Sequence, residues 1–297
     1  MSNLTKNALT ATIVFKANSA NYSESTGNLS TLKKFTDVDN KEHTYISRQA
    51  IRYNIISQMK EPLGQLYVDE SNSKSVIQYD PKISIKDSPE VDLFGYMITG
   101  KEPRHRNAVV RLSNAISQDP YNGDSDFLTN LSFATRLRQA KQDPSINNSI
   151  ANSEIQTDYY VYTITIDLDQ IGIDTNDNTN LDDEERARRV KKVLRTIKYL
   201  YRDIRGRRED LKPLFIIGGT YDIKNPIFQS VVHVKKNKLN LDQIKAELSD
   251  PEIKEDTMIG MVDDVFDNNQ EIQEELQPVS ITEFFNQLNE KVDAIYA

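Results

Sequence analysis

The sequence contains no cysteine among its 297 residues. Disulfide bonds and thiolate chemistry are therefore excluded, and this absence fits a reducing cytoplasm. No uninterrupted apolar stretch of about eighteen residues occurs, so no membrane span and no membrane partner are expected. The N-terminus alternates between apolar and polar residues, unlike the apolar core of a signal peptide. We therefore expect a soluble, cytoplasmic protein.

Familiar enzyme signatures are also missing. His43, His105 and His233 are far apart in the sequence, and none of them has a zinc-type spacing. There is no nucleotide-binding glycine loop and no nucleophile elbow, and no helix-turn-helix pair with a basic recognition helix stands out. We expect no catalytic residue, no metal site and no cofactor.

The formal net charge of -8 conceals an uneven distribution of charge along the chain. Residues 240–297 hold 15 acidic and 3 basic residues, a net charge of -12. Removing this -12 from the total of -8 leaves +4 for residues 1–239. The body is thus mildly basic, and its local clusters say more about a polyanionic partner than the total does.

Hydrophobic periodicity predicts an α/β fold with one antiparallel sheet and helices on one face. Residues 9–16 and 158–168 alternate between apolar and polar positions and read as strands, as do residues 91–98 and 108–113. Helices are predicted from Ser47 to about residue 58 and from an Asn180 cap to about residue 204. Gly218 and Gly219 lie within another predicted strand, where they indicate the close approach of a second backbone, for which RNA is one candidate.

The start of the first predicted helix is a candidate phosphate site. Ser47 is a good N-cap, which leaves the free amides and the positive end of the helix dipole facing outward. Arg48 and Arg52 follow at i and i+4 on one helical face, with Gln49 beside them. On spacing alone, such an arginine pair is more typical of a solvated helix face.

Four pieces of the sequence together resemble the DevR family, the repeated backbone subunits of type I-B CRISPR surveillance complexes (Cascade). The pieces are FKANSANYSESTGNLSTLKKF, YISRQAIRYNI, DLFGYM and VVRLSNAIS. Their order and spacing carry the resemblance, which extends from the first strand to the helix near residue 200. The segment after residue 240 has no piece that matches.

The resemblance implies a hand-like single domain with a modified RRM-like (ferredoxin-like) palm. The palm comprises residues 1–60, 91–116 and 158–236, with a finger-like insertion at residues 61–90. The polar segment 117–157 is then a thumb-like hairpin that reaches over guide RNA on the adjacent subunit; the composition alone equally allows a disordered surface loop. The acidic segment 237–297 is expected to dock on the palm.

The function implied by the resemblance is non-catalytic binding of crRNA. Its partners are the crRNA, target DNA reached through the guide, other copies of the chain in a filament, and other Cascade subunits. The first strand lacks the paired exposed aromatics of ordinary RRM folds, so binding is expected to rest on phosphate and shape, without base preference.

The residues predicted to contact RNA are basic or amide side chains grouped in four places. Near the first helix they are Lys16, Asn18, Asn21, Lys33, Lys34, Ser47, Arg48, Gln49 and Arg52. The loop 99–107 adds Arg104 and Arg106, beside Lys101 and His105; Arg111 lies on the next strand, and Arg136 and Arg138 lie in the thumb. The alternative is that the loop 99–107 is an ordinary charged hairpin loop with no role in binding.

A second function stays open, that of a metal-dependent ribonuclease. Backbone subunits of type III CRISPR complexes cut target RNA with an aspartate in the loop before the equivalent helix. Asp37 and Asp39 lie in that loop here, and two acids could hold a divalent ion. Charge balance with Lys33, Lys34 and Lys41 is the simpler explanation of these acids.

Overall fold

The computed structural model describes residues 6–69, 75–100 and 102–297. Lys101 of the predicted loop cluster and residues 70–74 of the predicted finger lie outside the described residues. Within the described ranges, no helix is both long and apolar enough to cross a membrane.

The strands in chain order are β1 (Ala8–Ala17), β2 (Tyr22–Thr26), β3 (Leu29–Leu32), β4 (Lys34–Thr36), β5 (Glu42–Ile46), β6 (Leu66–Asp69), β7 (Val76–Tyr79), β8 (Tyr96–Ile98), β9 (Arg104–Arg106), β10 (Val110–Leu112), β11 (Ala115–Ser117), β12 (Asp124–Thr129), β13 (Ile150–Ile155), β14 (Asp158–Asp167), β15 (Ile173–Asp174), β16 (Thr179–Asn180), β17 (Tyr201–Ile204), β18 (Arg207–Asp210), β19 (Phe215–Tyr221), β20 (Val234–Lys235), β21 (Lys238–Leu239), β22 (Thr257–Met261) and β23 (Val279–Ser280). The helices are α1 (Arg48–Met59), α2 (Pro89–Phe94), α3 (Leu131–Lys141), α4 (Asp183–Lys198), α5 (Leu241–Glu247), α6 (Pro251–Asp256), α7 (Asn269–Leu276) and α8 (Ile281–Ile295), with a 3₁₀ turn at Leu168–Gln170.

The main sheet has nine strands in the order β23-β22-β19-β1-β14-β11-β5-β4, with β10 also pairing with β14. Strands β1 and β14 pair antiparallel over their whole length, from Ala8 opposite Asp167 to Ala17 opposite Asp158. The alternation in both segments produces this central pair, because one set of side chains faces each side of the sheet. The predicted α/β class is confirmed, while the RRM-like description of the palm stays a prediction.

The two faces of the sheet are both covered, so the predicted single layer of helices is wrong. Leu9 and Ile13 of β1 pack in a core with α1, α4 and α8. Val14, on the opposite face, packs in a second core with α5, α6 and α7. The C-terminal segment forms that second layer and also adds β22 and β23 to the sheet. Nucleic acid is therefore expected at an edge or an end of the sheet.

The two glycines of β19 are explained by the chain's own backbone. A Cβ at Gly218 would lie 2.1 Å from the carbonyl oxygen of Thr10 on β1, and a Cβ at Gly219 would lie 2.0 Å from that of Asp256. Neither distance is sterically possible. The suggestion that RNA approaches these glycines is therefore wrong.

The second long helix is shorter at both ends than predicted. Its N-cap is Asp182, whose carboxylate accepts a hydrogen bond from the Glu185 amide at 2.8 Å, and not Asn180. Helix α4 ends at Lys198, and the chain turns into the β17–β18 hairpin. Arg205 and Gly206 both have positive φ, as a two-residue hairpin turn requires. The glycine was the sequence signal for this turn.

Residues 91–98 do not form the single strand that was predicted. Their first half belongs to α2, which has Pro89 in its first turn and ends at Gly95 with φ 73°. Proline fits the first turn of a helix because its missing N–H has no partner there in any case. Near the end of the body, residues 227–231 form turns, and a short strand follows at Val234–Lys235.

The thumb, defined as residues 117–157, is an ordered β-α-β unit. Strands β12 and β13 pair antiparallel, and α3 lies between them. Strand β13 also pairs parallel with β3, so the thumb joins the β2–β3 hairpin in a four-stranded sheet. Its apolar residues Phe127, Leu131 and Phe133 are exposed, at 58, 52 and 67%. These side chains therefore do not form a core of the thumb.

Candidate nucleic-acid interface

A polar cleft of about 570 Å³ opens at the N-terminus of α1. We call it the α1 cleft. It is lined by Lys33, Tyr45, Ser47, Arg48, Gln49, Leu112, Ser113 and Asn114. Helix α1, the β4–β5 hairpin and the β10–β11 connection each contribute to it, so the fold brings four of the predicted site residues together. Tyr45, Ser113 and Asn114 were not predicted, although they lie in two of the sequence pieces that carry the family resemblance.

The first turn of α1 is capped from two directions. Ser47 Oγ accepts hydrogen bonds from the Ala50 amide at 3.3 Å and from Asn21 Nδ2 at 3.2 Å. Asn114 Oδ1, which comes from the β10–β11 connection, accepts one from the Arg48 amide at 2.9 Å. The first three backbone amides of α1 belong to Arg48, Gln49 and Ala50. Among them, only the Gln49 amide has no acceptor within the described chain. One backbone donor at the positive end of the helix dipole thus stays open to an anion.

The cations of the α1 cleft are not neutralised by the protein. Arg48 is exposed and Lys33 is partly exposed. Within the described residues, no carboxylate lies within 4.0 Å of either side-chain nitrogen group. Two positive charges, an amide side chain and a free backbone N–H therefore face one cavity, an arrangement that suits a phosphate group.

Lys16 and Asn18 lie apart from the α1 cleft, in a groove of about 410 Å³ at the end of β1. The Asn18 amide donates a hydrogen bond to Glu209 Oε1 at 3.3 Å, and Lys16 Nζ is 5.5 Å from the centroid of the Tyr159 ring. The groove also contains Arg207, Arg208 and Lys212, which were not among the predicted contacts. They lie on or just after β18, in a hairpin that the sequence analysis did not predict.

Several predicted contact residues are engaged in bonds within the chain. Lys34 pairs with Glu154 at 3.0 Å and lies over the Tyr121 ring, and Arg111 pairs with Asp167 at 2.8 Å. These contacts tie the edge of the sheet to neighbouring strands. Neither side chain lines the α1 cleft.

Arg104 and Arg106 form part of a cluster at the base of the finger. Arg104 Nη2 donates hydrogen bonds to two backbone carbonyls, of Pro81 and Ile83, at 2.6 Å each. Arg106 pairs at 2.7 Å with Asp92, which is fully buried. These guanidinium groups hold the base of the finger together.

Arg52 lies outside the α1 cleft, yet it is only loosely paired within the chain. Its guanidinium group lies 3.8 Å from Glu90 and 5.1 Å from the centroid of the Phe94 ring, and it lines a separate groove from the α1 cleft. Arg52 therefore does not line the α1 cleft beside Arg48, and its contact with RNA stays a prediction.

The thumb arginines differ from each other. Arg136 on α3 is exposed and, among the described residues, has no ion-pair partner. Arg138 Nε donates a hydrogen bond to the Ile146 carbonyl at 2.6 Å, which closes the loop after the helix. Only Arg136 is free to meet a ligand.

A buried carboxylate joins the two chain segments at the base of the thumb. Asp158 Oδ2 accepts hydrogen bonds from the Asp119 amide at 3.0 Å and from Gln156 Nε2 at 3.3 Å. Burial raises the pKa of Asp158 from 3.8 to about 6, against the opposing effect of the backbone amides of Asp119 and Tyr159. The thumb base therefore holds a carboxyl group that titrates just below neutral pH.

The two acids of the alternative ribonuclease site lie in the β4–β5 turn. Asp37 Oδ1 accepts hydrogen bonds from the amides of Lys41 at 2.8 Å and Asp39 at 2.9 Å. Asp37 Oδ2 lies 3.3 Å from His43 Nε2, and the Lys41 amide is the main cause of a lowered pKa at Asp37. Across the described ranges, no three acidic, histidine or cysteine side chains converge as a metal site needs.

Comparison of the fold with solved structures defines its class first. A chain described as "CRISPR RNA-guided surveillance complex, pre-nicking" matches with a TM-score of 0.60 at 12% identity, over 97% of this chain and 100% of that chain. A chain described as "CRISPR RNA-guided surveillance complex" matches with a TM-score of 0.53 at 14% identity, over 88% and 91%. The chain thus has the fold of proteins solved in such complexes.

The family follows from the sequence itself. Residues 9–243 match the family described as "CRISPR-associated negative auto-regulator DevR/Csa2". The chain belongs to the DevR/Csa2 family, and this confirms the predicted resemblance. No curated protein matches the chain.

Proposed function

We propose that the chain is a non-catalytic backbone subunit of a type I-B CRISPR surveillance complex. It binds the backbone of crRNA, lines up with further copies along the guide, and presents the guide for pairing with target DNA. Family membership and the likeness in fold support this role. Pairing of the guide with its target would read the sequence, so the subunit needs no base-specific contacts.

The observation that carries the proposal is the unneutralised charge of the α1 cleft. Lys33 and Arg48 line it without an internal carboxylate partner in the described chain, while Arg104 and Arg106 at the base of the finger are bonded internally. Leaving two cations unpaired beside a helix N-terminus gives the folded chain no stability. An anionic ligand explains why they are there.

The test is RNA binding by a Lys33→Ala, Arg48→Ala double variant, measured by fluorescence anisotropy with a labelled single strand. Each phosphate contact with a single strand contributes about 0.7 to the slope of log K against log salt, so two lost contacts lower the slope by about 1.4. At about 0.1 M salt this corresponds to roughly a twentyfold loss of affinity. Lys245→Ala is the matched control, since Lys245 pairs with Glu275 in the C-terminal layer.

The control variant should bind RNA as the wild type does. Urea unfolding should give the same stability for the wild type and the double variant, because both cleft residues are at least partly exposed and have no internal ion-pair partner in the described chain. Lys245→Ala should lie close to both, since the ion pair with Glu275 that it removes is partly exposed to water. An unchanged salt slope in the double variant would refute the α1 cleft as the RNA site. Nucleic acid extracted from the purified wild-type protein should consist of small RNAs of uniform length with flanking repeat sequence.

A further inference from the structure

Three aromatic rings lie in a row on the β4–β5 hairpin. Phe35 is directly opposite His43 in the strand register, with ring centroids 6.0 Å apart and the planes at 29°. Tyr45 lies two residues further along β5, and its ring meets Phe35 edge-on at 6.1 Å. Residues two apart on a strand share one face, so all three rings face the same side of the hairpin. We call them the hairpin aromatics.

The hairpin aromatics border a continuous surface that begins in the α1 cleft. Tyr45 lines the α1 cleft itself. Phe35 and His43 line a second groove of about 480 Å³, and Ser113 and Asn114 line both cavities. A strand with a phosphate at Lys33 and Arg48 can therefore extend along the rings without leaving the surface.

The exposure of Phe35 is not explained by packing within the chain. Strand β4 is the last strand of the main sheet, and Phe35 is 38% exposed there. Apolar side chains exposed on an edge strand invite unwanted association, and natural sheets avoid them. His43 holds the row in place, because its Nδ1 is 2.8 Å from the Ser117 carbonyl oxygen and its Nε2 is 3.3 Å from Asp37.

We propose that Phe35 and Tyr45 form a stacking platform for nucleobases of the strand whose phosphates lie in the α1 cleft. This inference rests on the proposed function and adds a base contact to it. Stacking on aromatic rings tolerates every base, because every base has a π face. Ordinary RRM folds stack bases on exposed aromatics of the sheet face, which β1 lacks. Here the platform would take over that role at the edge strand β4, because both faces of the sheet are covered.

The test compares two oligonucleotides of equal length and charge, an oligouridine and the same backbone with abasic sites. Phe35→Ala should weaken binding of oligouridine by about tenfold, since one stacked base is lost, and should leave abasic binding unchanged. Phe35→Tyr should restore the wild-type affinity. The quenching of a 2-aminopurine placed in the strand should disappear in Phe35→Ala. Tyr199→Ala, at a tyrosine 54% exposed and outside this surface, is the matched control.

The outcomes separate this inference from the proposed function. If Phe35→Ala weakens both oligonucleotides equally, or neither, the platform is refuted. A change in self-association without any change in RNA binding would identify the hairpin aromatics as a protein contact and would also refute the platform.

If the Lys33→Ala, Arg48→Ala variant keeps full affinity for both oligonucleotides, the α1 cleft is refuted as the phosphate site. If that variant loses affinity while Phe35→Ala does not, only the platform fails. Phe35→Leu keeps most of the apolar volume and should bind like Phe35→Ala.

Discussion

Two regions of this molecule are rich in cations, and they use them differently. In the α1 cleft, Lys33 and Arg48 are at least partly exposed and have no carboxylate partner within the described residues. At the base of the finger, Arg106 and Arg189 close on the buried Asp92 at 2.7 and 2.8 Å. The comparison shows that arginine content alone does not mark a nucleic-acid site. A cation is available to a ligand only where the fold leaves it without an internal partner.

The largest effect is expected from breaking the finger-base cluster with Asp92→Ala. Asp92 accepts hydrogen bonds from both guanidinium groups and from the Gly172 amide at 3.0 Å. Its removal leaves the buried Arg106 without a carboxylate partner and leaves the buried Arg189 with Glu185 alone, which costs about 3–5 kcal/mol of the free energy of unfolding. Urea unfolding measures this loss.

The control for that variant is Asp203→Ala, which removes an exposed carboxylate hydrogen-bonded to Arg208 at 2.8 Å. Water screens an exposed ion pair and leaves it little net effect on stability, so the transition midpoint should hardly move. If Asp92→Ala is stable but binds RNA more weakly, the base of the finger takes part in RNA binding. The difference between the two regions would then be contradicted.

A pH titration of stability extends the comparison to a buried acid. The pKa of Asp158 is 3.8 when unfolded and about 6 in the fold, so protonation favours the folded state. The resulting stabilisation is complete below pH 4 and is lost as the pH rises through 6, a change of about 2–3 kcal/mol. The stability of the wild type relative to Asp158→Asn should therefore fall between pH 4 and pH 6. A constant difference between the two proteins would contradict the raised pKa.

Arg52→Ala probes a side chain between the two extremes. Because Arg52 lies near Glu90 and outside the α1 cleft, its removal should weaken RNA binding by about twofold or less, against about fivefold for Arg48→Ala. Anisotropy titrations of the two single variants at one salt concentration measure the difference. Equal losses of affinity would show that Arg48 and Arg52 contribute equally to RNA binding, as their i, i+4 spacing suggested.

The smallest effect is expected at the acids of the β4–β5 turn. Incubation of RNA-loaded protein with complementary RNA and magnesium should give no cleavage, and Asp37→Ala and Asp39→Ala should behave as the wild type does. Both carboxylates lie in a turn in which Asp37 is occupied by backbone amides. Cleavage by the wild type that either substitution abolishes would establish the ribonuclease and remove the non-catalytic role.

Much of the local structure was predictable because its causes are local. Ser47 caps α1 as expected, and the alternation of residues 158–168 produced the central strand β14. The errors came where distant segments decide the outcome. The second layer on the sheet is formed by the C-terminal segment, and the pairing of β13 with β3, which no residue pattern predicted, joins the thumb to the β2–β3 hairpin. Neither of these long-range contacts produces a hydrophobic period in the sequence of the segments that take part in it.

The sequence by itself determined the α/β class, the family, and the polar start of α1 with Ser47, Arg48 and Gln49, because neighbours along a helix or strand share one face by geometry. Only the tertiary structure decided which cations stay free. Asn114 reaches the Arg48 amide across 66 positions, and Asp92 meets Arg189 across 97. Such partners lower the energy of a charged or polar group only after the chain has folded, so no pattern along the sequence records them.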